Sequence, residues 1–209
     1  MQDQGVTMRT FLAIIFIVSA TIKAGNCVVC TECRNSTTAD CVGNLVTCGT
    51  CMTIVNETIS KDGNSISYSV EKTCNLNANI CNITYSVNSD QYQARYTVNC
   101  CNNDSCNQKS LEVTPWNNTK NGLECPTCYA DGEENCKAKA TVQCTGDENT
   151  CLVFSGKDSR EEICQTVAFQ GCVSAPVCGG LRHLYPDNVQ CPDNSTMICS
   201  NQRNATYEP

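Results

Sequence analysis

The sequence predicts an all-β, disulfide-rich protein with two tandem cysteine-stapled units behind a signal peptide. Cysteine makes up 21 of the 209 residues, far above ordinary globular usage and the mark of a disulfide scaffold. The spacing Cys30-x2-Cys33-x7-Cys41-x6-Cys48 returns as Cys125-x2-Cys128-x7-Cys136-x7-Cys144, and a repeated spacing marks a duplicated module. Three segments alternate apolar with polar residues, the period of a half-buried strand. With four Phe and one Trp, neither half can build a large aromatic core. Small domains with thin cores need covalent staples.

Residues 1–25 read as the signal peptide. Arg9 precedes an apolar run from Phe11 to Val18, small residues follow, and Met8 offers an internal start. The run is too short to span a bilayer comfortably. Cleavage after Ala20, after Ala24 or after Gly25 stays open. Secretion suits the cysteines, since disulfides persist in oxidising compartments.

The first unit is placed at 26–107. Its cysteines run Cys30, Cys33, Cys41, Cys48, Cys51, Cys74 and Cys81, then close on Cys100-Cys101-Asn102-Asn103-Asp104-Ser105-Cys106-Asn107. Ile66, Tyr68 and Val70 alternate with serines, and Ile83, Tyr85, Val87 and Ala94, Tyr96, Val98 repeat the pattern. Turn residues such as Lys61-Asp62-Gly63-Asn64 separate the strands. No helix is expected in the mature chain. A cysteine-free linker at 108–124 contains Pro115, Trp116 and Asn121-Gly122. The second unit, 125–209, lacks the vicinal cysteine pair and the closing Cys-Asn. Its polar end is not the hydrophobic tail that a C-terminal lipid signal needs, so no membrane anchor is expected.

Sequons at Asn35, Asn56, Asn82, Asn103, Asn117, Asn194 and Asn204 become glycan acceptors in a secreted chain. Charge is uneven. Asn26 to Gly122 carries eight acids and six bases, whereas Leu123 to Pro209 carries twelve acids and six bases. That balance argues against nucleic acid and anionic membranes as partners; a solvated acidic surface is the plain reading.

The cysteine order from Cys30 to Cys106, with its vicinal pair, Asp104 and Cys106-Asn107, resembles the Ly6/uPAR, or three-finger, domain. The resemblance implies two tandem three-finger domains that bind extracellular proteins. It also implies the pairing: Cys30–Cys51, Cys33–Cys41, Cys48–Cys74, Cys81–Cys100 and Cys101–Cys106 in unit one. In unit two it implies Cys125–Cys151, Cys128–Cys136, Cys144–Cys172 and Cys178–Cys191. Cys27, Cys164 and Cys199 fall outside this framework. A bridge Cys164–Cys199 would leave Cys27 free or intermolecular.

Within the tandem proteins, Asn117 to Cys128 resembles the interdomain segment of the gamma-type phospholipase A2 inhibitors. Thr141 to Cys151, followed by Phe154-Ser155-Gly156, is similar in those inhibitors and in the amphibian sodefrin precursor-like factors. The leader Met8 to Leu12 and the triple Cys27-x2-Cys30-x2-Cys33 look closer to the second group. The resemblance thus implies first a pheromone-like signal acting on an extracellular receptor. The alternative is an inhibitor that binds secreted phospholipase A2. No dibasic pair invites peptide release, so the intact protein is the expected active species.

Nothing in the chain points to catalysis. His183 is the one histidine, and no nucleophile elbow, phosphate loop or paired-carboxylate motif accompanies it. Cys30/Cys33, Cys48/Cys51 and Cys125/Cys128 have zinc-like spacing, but secretion favours their oxidation. No catalytic residue, cofactor or metal is therefore expected. Trp116 reads as packing between the units or as a binding anchor. Asp131-Gly132-Glu133-Glu134 reads as an acidic finger turn.

Overall fold

A computed structural model describes residues 27–59, 65–75, 80–91, 93–160, 163–178 and 196–200. The segment read as a signal peptide, the expected turn at Lys61 to Asn64, His183, Cys191, Asn194 and Asn204 lie outside the described residues. The elements before residue 108 are β1 (Val28–Asn35), β2 (Asn44–Cys48), β3 (Cys51–Ile59), β4 (Ile66–Cys74), β5 (Ile83–Asn88) and β6 (Gln93–Cys101). Those after it are β7 (Lys120–Asp131), β8 (Ala140–Thr145), β9 (Thr150–Arg160), β10 (Ile163–Val173), a one-turn helix α1 (Ala175–Cys178) and β11 (Thr196–Ser200). The helix corrects the expectation of none, and β7 starts five residues before Cys125, inside the stretch read as linker.

Each alternating segment forms a strand, as its period requires: β4, β5 and β6. Hairpins β1–β2, β3–β4 and β5–β6 are the three fingers of the first unit. Hairpins β7–β8 and β9–β10, with β11 on the outer edge of β9, form the second. The fold is the all-β, disulfide-rich three-finger type in both halves. The sheet does not stop between them. Its strand order is β11-β9-β10-β5-β6-β3-β4-β1-β2, with β7 on β10 and β8 on β7. The junction is antiparallel, with Cys172 opposite Asn88 and Val173 opposite Val87.

Nine disulfides staple the described residues. Unit one holds the five pairs that the resemblance implies. Unit two holds Cys125–Cys151, Cys128–Cys136 and Cys144–Cys172. The fourth bridge corrects the sequence reading: Cys178 joins Cys199, not Cys191. Pairing by cysteine order could not foresee β11. That strand runs along β9 with Cys199 opposite Leu152, and its Cα lies 6.1 Å from that of Cys178. Cys199 is therefore not available to Cys164. Cys27 is exposed and unpaired.

Two cores lie on opposite faces of the first unit's sheet. Met52, Tyr85 and Val98 point one way and pack with Leu152, Phe169, Val173 and Val177 of the second unit. Tyr85 stacks on Tyr96 with ring centroids 4.8 Å apart. Val55 and Val70 point the other way and pack with Cys41, Leu111 and Val113. Burying one such Val or Phe stabilises the fold by about 1.5–3 kcal/mol, so both contacts matter to a thinly cored chain.

Candidate binding surface

The closing motif of unit one has a plain physical role. Asp104 Oδ1 accepts from the Val29 amide at 2.8 Å, and Asn107 Oδ1 accepts from the Thr31 amide at 2.8 Å. Asn107 Nδ2 donates back to the Thr31 carbonyl at 2.9 Å, and the Ser105 amide donates to the Val29 carbonyl at 2.7 Å. The loop held by Cys101–Cys106 thereby fills the free edge of β1 as a neighbouring strand would. Buried backbone groups must find such partners. Ser105 adopts φ 56° to turn this corner.

The stretch after this loop is a brace rather than a loose tether. Lys72 is fully buried, and its Nζ donates to Asp40 Oδ1 at 2.5 Å and to the Gln108 carbonyl at 2.9 Å. The Lys72 ammonium holds the Asp40 carboxyl below its ordinary range, against the opposing effect of burial. Arg95 Nε donates to Glu57 Oε2 at 2.7 Å within a buried pair. Its other nitrogens donate to the Thr114 and Pro115 carbonyls. Trp116 lies over the Arg95 guanidinium, 5.0 Å from ring centroid to Cζ. Trp116 thus packs on unit one. Farther on, the Gly146 amide donates to the Thr119 carbonyl at 2.9 Å, so the brace also touches unit two.

The joint between the units is equally specific. The Ser86 amide donates to Ser174 Oγ at 2.9 Å, and the Ser174 amide to the Ser86 carbonyl at 3.1 Å. Asn88 Nδ2 donates to Glu148 Oε2 at 3.0 Å, and the Asp90 amide to Thr127 Oγ1 at 2.9 Å. Gly171 is required here, because a Cβ on it would lie 2.2 Å from the Asn88 carbonyl oxygen. Glu148 is buried, and burial pushes its carboxyl up despite hydrogen bonds from Asn88 and Thr145.

Among the described residues, several exposed large apolar side chains lie on the fingers of unit one. Val42 is 97% exposed and Leu45 63%, on the turn and edge strand of the first finger. Ile66, at the tip of the second finger, is also exposed. Gly43 lets this turn close, since a Cβ there would meet the Glu32 carbonyl oxygen at 2.0 Å. Asp131, Gly132, Glu133 and Glu134 are exposed at the first finger of unit two. Each cysteine of the three C-x2-C pairs is half of a disulfide. No described helix is long and apolar enough to cross a membrane.

The sequons spread over this surface. Asn82, Asn103 and Asn117 are exposed, Asn35 and Asn56 half-buried. Asn35 Oδ1 accepts from the amide and hydroxyl of its sequon Thr37, both at 2.9 Å. The sequence reading did not single out Lys72, Glu57, Arg95, Asn88 or Glu148. Their one signal was charge or amide inside strand patterns or, for Glu148, in a turn, where a solvated residue is the ordinary reading.

No family model matches the chain. The gamma-type phospholipase A2 inhibitor of Laticauda semifasciata is 30% identical over 158 residues, 73% of this chain and 83% of that protein. Its counterpart from Gloydius brevicaudus siniticus is 27% identical, over 84% of this chain and 88% of its own. Protein RoBo-1 of Rattus norvegicus is 32% identical over 95 residues, and the match spans 38% of its length. The crystal structure of mouse TEX101 is a weak likeness, TM-score 0.38 at 17% identity, covering 83% of this chain and 98% of that one. These relatives lend no support to the pheromone reading; the inhibitor names favour the alternative.

Proposed function

Since the chain belongs to the Ly6/uPAR family, in the group of the gamma-type phospholipase A2 inhibitors, we propose that it is an extracellular, non-enzymatic protein that binds a secreted phospholipase A2. The observation that carries this reading is the 30% identity to one such inhibitor over 83% of that inhibitor's length. The geometry supports a binding role. Disulfides and the brace fix the fingers in advance, and a rigid surface loses little conformational entropy on association. The exposed Val42 and Leu45 supply apolar contact area at the first finger. In this reading two domains, 26–107 and 125–209, act as one body, and the segment between them braces it.

The test is calorimetry of the purified, glycosylated protein against secreted phospholipases A2, with phospholipid hydrolysis followed in parallel. A saturable complex and loss of hydrolysis are expected. The doubly charged variant V42D/L45D should weaken the complex at least tenfold while thermal unfolding stays within a few degrees. Absence of a complex with every secreted phospholipase A2 tried would overturn the reading. Unchanged affinity in V42D/L45D would remove the first finger from it.

A further inference from the structure

Among the described residues, no cation balances a carboxylate that is buried in the joint. Glu148, in the turn between β8 and β9, is 1% exposed. Its Oε2 is well served, accepting from Asn88 Nδ2 across the joint, from the Thr145 amide at 2.8 Å and from Thr145 Oγ1 at 3.1 Å. Its Oε1 is buried with no partner, and so is Ser86 Oγ on the facing strand β5. Ser86 nonetheless stands near the Glu148 carboxyl, and as a hydroxyl donor it favours the ionised form, as Asn88 and Thr145 do, against the larger opposing effect of burial. The groups that hold this charge are therefore neutral dipoles: an amide, a backbone N–H and hydroxyls.

Charged residues on the elements around it are committed elsewhere or face water. Arg95, opposite Ser86 on β6, is taken up by Glu57 and the brace. Lys120 and Glu124 on β7 are exposed, as are Asp90 after β5 and Asp147 beside Glu148 itself. The facing stretch of β10, Gly171 to Val173, carries no charge. A buried charge without a counter-ion is costly, and a proton removes that cost. Protonated Oε1 also becomes a donor, and the facing Ser86 Oγ, which as a hydroxyl can accept as well as donate, can then take its proton in a hydrogen bond.

We propose that Glu148 is a proton-operated clasp between the two units, tighter when the carboxyl is neutral and looser when it is ionised. Burial raises the folded-state value of this group above its ordinary 4.5. The stabilisation is thus complete below 4.5 and is lost as pH rises through the folded-state value. The clasp responds to acidification of the compartment around the protein and is independent of which partner the fingers bind.

The primary measurement is carbon-13 NMR of the Glu148 carboxyl in the intact wild-type chain. Its midpoint should lie above that of the exposed glutamates; a midpoint at or below theirs would overturn the proposal. Hydrogen exchange reports on the joint itself. Corrected for intrinsic chemistry, protection of the Ser86 and Ser174 amides should fall as pH rises through the Glu148 midpoint found by NMR, while that of Val98 holds. E148Q, neutral throughout, should keep those two amides equally protected across the same pH range. Equal loss in E148Q and wild type would assign the effect to another group.

Discussion

The two faces of the first unit's sheet are covered by different chemistry. One face, with Met52, Tyr85 and Val98, meets the second unit through apolar side chains and a continued β-ladder. The other meets the brace, where Val55 and Val70 are flanked by the charged pairs Lys72–Asp40 and Arg95–Glu57. The apolar joint supplies non-directional stabilisation proportional to area. The charged brace supplies direction, because Arg95 and Lys72 must meet particular carbonyls. A chain with a thin core uses both to turn two small units into one body.

The largest expected effects test the two covers against each other. F169A removes the largest apolar group at the joint and should cost about 3–5 kcal/mol in chemical unfolding, the ordinary penalty for a buried Phe. R95A strands the Glu57 carboxylate and should cost a similar amount, about 3–5 kcal/mol. The double variant E57L/R95M separates the mechanisms. Replacing a buried ion pair with apolar groups is often near neutral, so it should recover much of the loss seen in R95A. Failure to recover would show that the carbonyl contacts to Thr114 and Pro115, rather than the pair, carry the brace.

G171A comes next. Its Cβ would press on the Asn88 carbonyl oxygen and on Phe169, and overpacking of this kind costs about 1–3 kcal/mol. The strand ladder beside it should open, so hydrogen exchange at Ser174 should accelerate more than at Val98. Equal acceleration everywhere would mean that the joint does not open apart from the rest.

Disulfide mapping sharpens the comparison at the covalent level. The peptide of Cys178 should carry that of Cys199. Cys27 is unpaired and eighteen cysteines are in the nine bridges, so Cys164 and Cys191 remain by count and should appear joined. A Cys178–Cys191 peptide would instead restore pairing by order.

These outcomes follow the grain of what the sequence made legible. Period-two alternation placed β4, β5 and β6 because strand periodicity is local. The repeat and the closing Cys106-Asn107 marked the units, because disulfide frameworks leave fixed spacings. The partition of faces was not legible. Ile66, Tyr68 and Val70 carry the same alternation as Ile83, Tyr85 and Val87, yet the register sends the two sets to opposite sides of the sheet. Only pairing through β3 decides that: Val55 stands opposite Val70, whereas Met52 stands opposite Cys100. Likewise, Glu148 lies in the turn Thr145-Gly146-Asp147-Glu148, where a carboxylate ordinarily faces water. It is buried because a strand 60 positions earlier brings Asn88 onto it. Cys199 escaped for the same reason, since its partner depends on where β11 runs.

The smallest expected effect belongs to the exposed end of the brace. Asp40 is held below its ordinary value of 3.8 first by the Lys72 hydrogen bond and further by the Cys41 amide. A depressed carboxylate contributes stability that is complete above its unfolded value and is lost as pH falls through the folded one. The Asp40 side chain is 48% exposed, so water screens much of this contribution. The wild type should therefore show a shallow loss of stability on acidification below 3.8. D40N should be less stable near neutrality, because fully buried Lys72 then loses its carboxylate partner. Its acid limb should be flatter than the wild type's. Glu148 predicts the opposite slope at higher pH, so the two groups separate in one pH series of thermal unfolding. If D40N and wild type lose stability in parallel below 3.8, the Lys72–Asp40 contact contributes nothing to the acid limb and the brace rests on the Gln108 carbonyl instead.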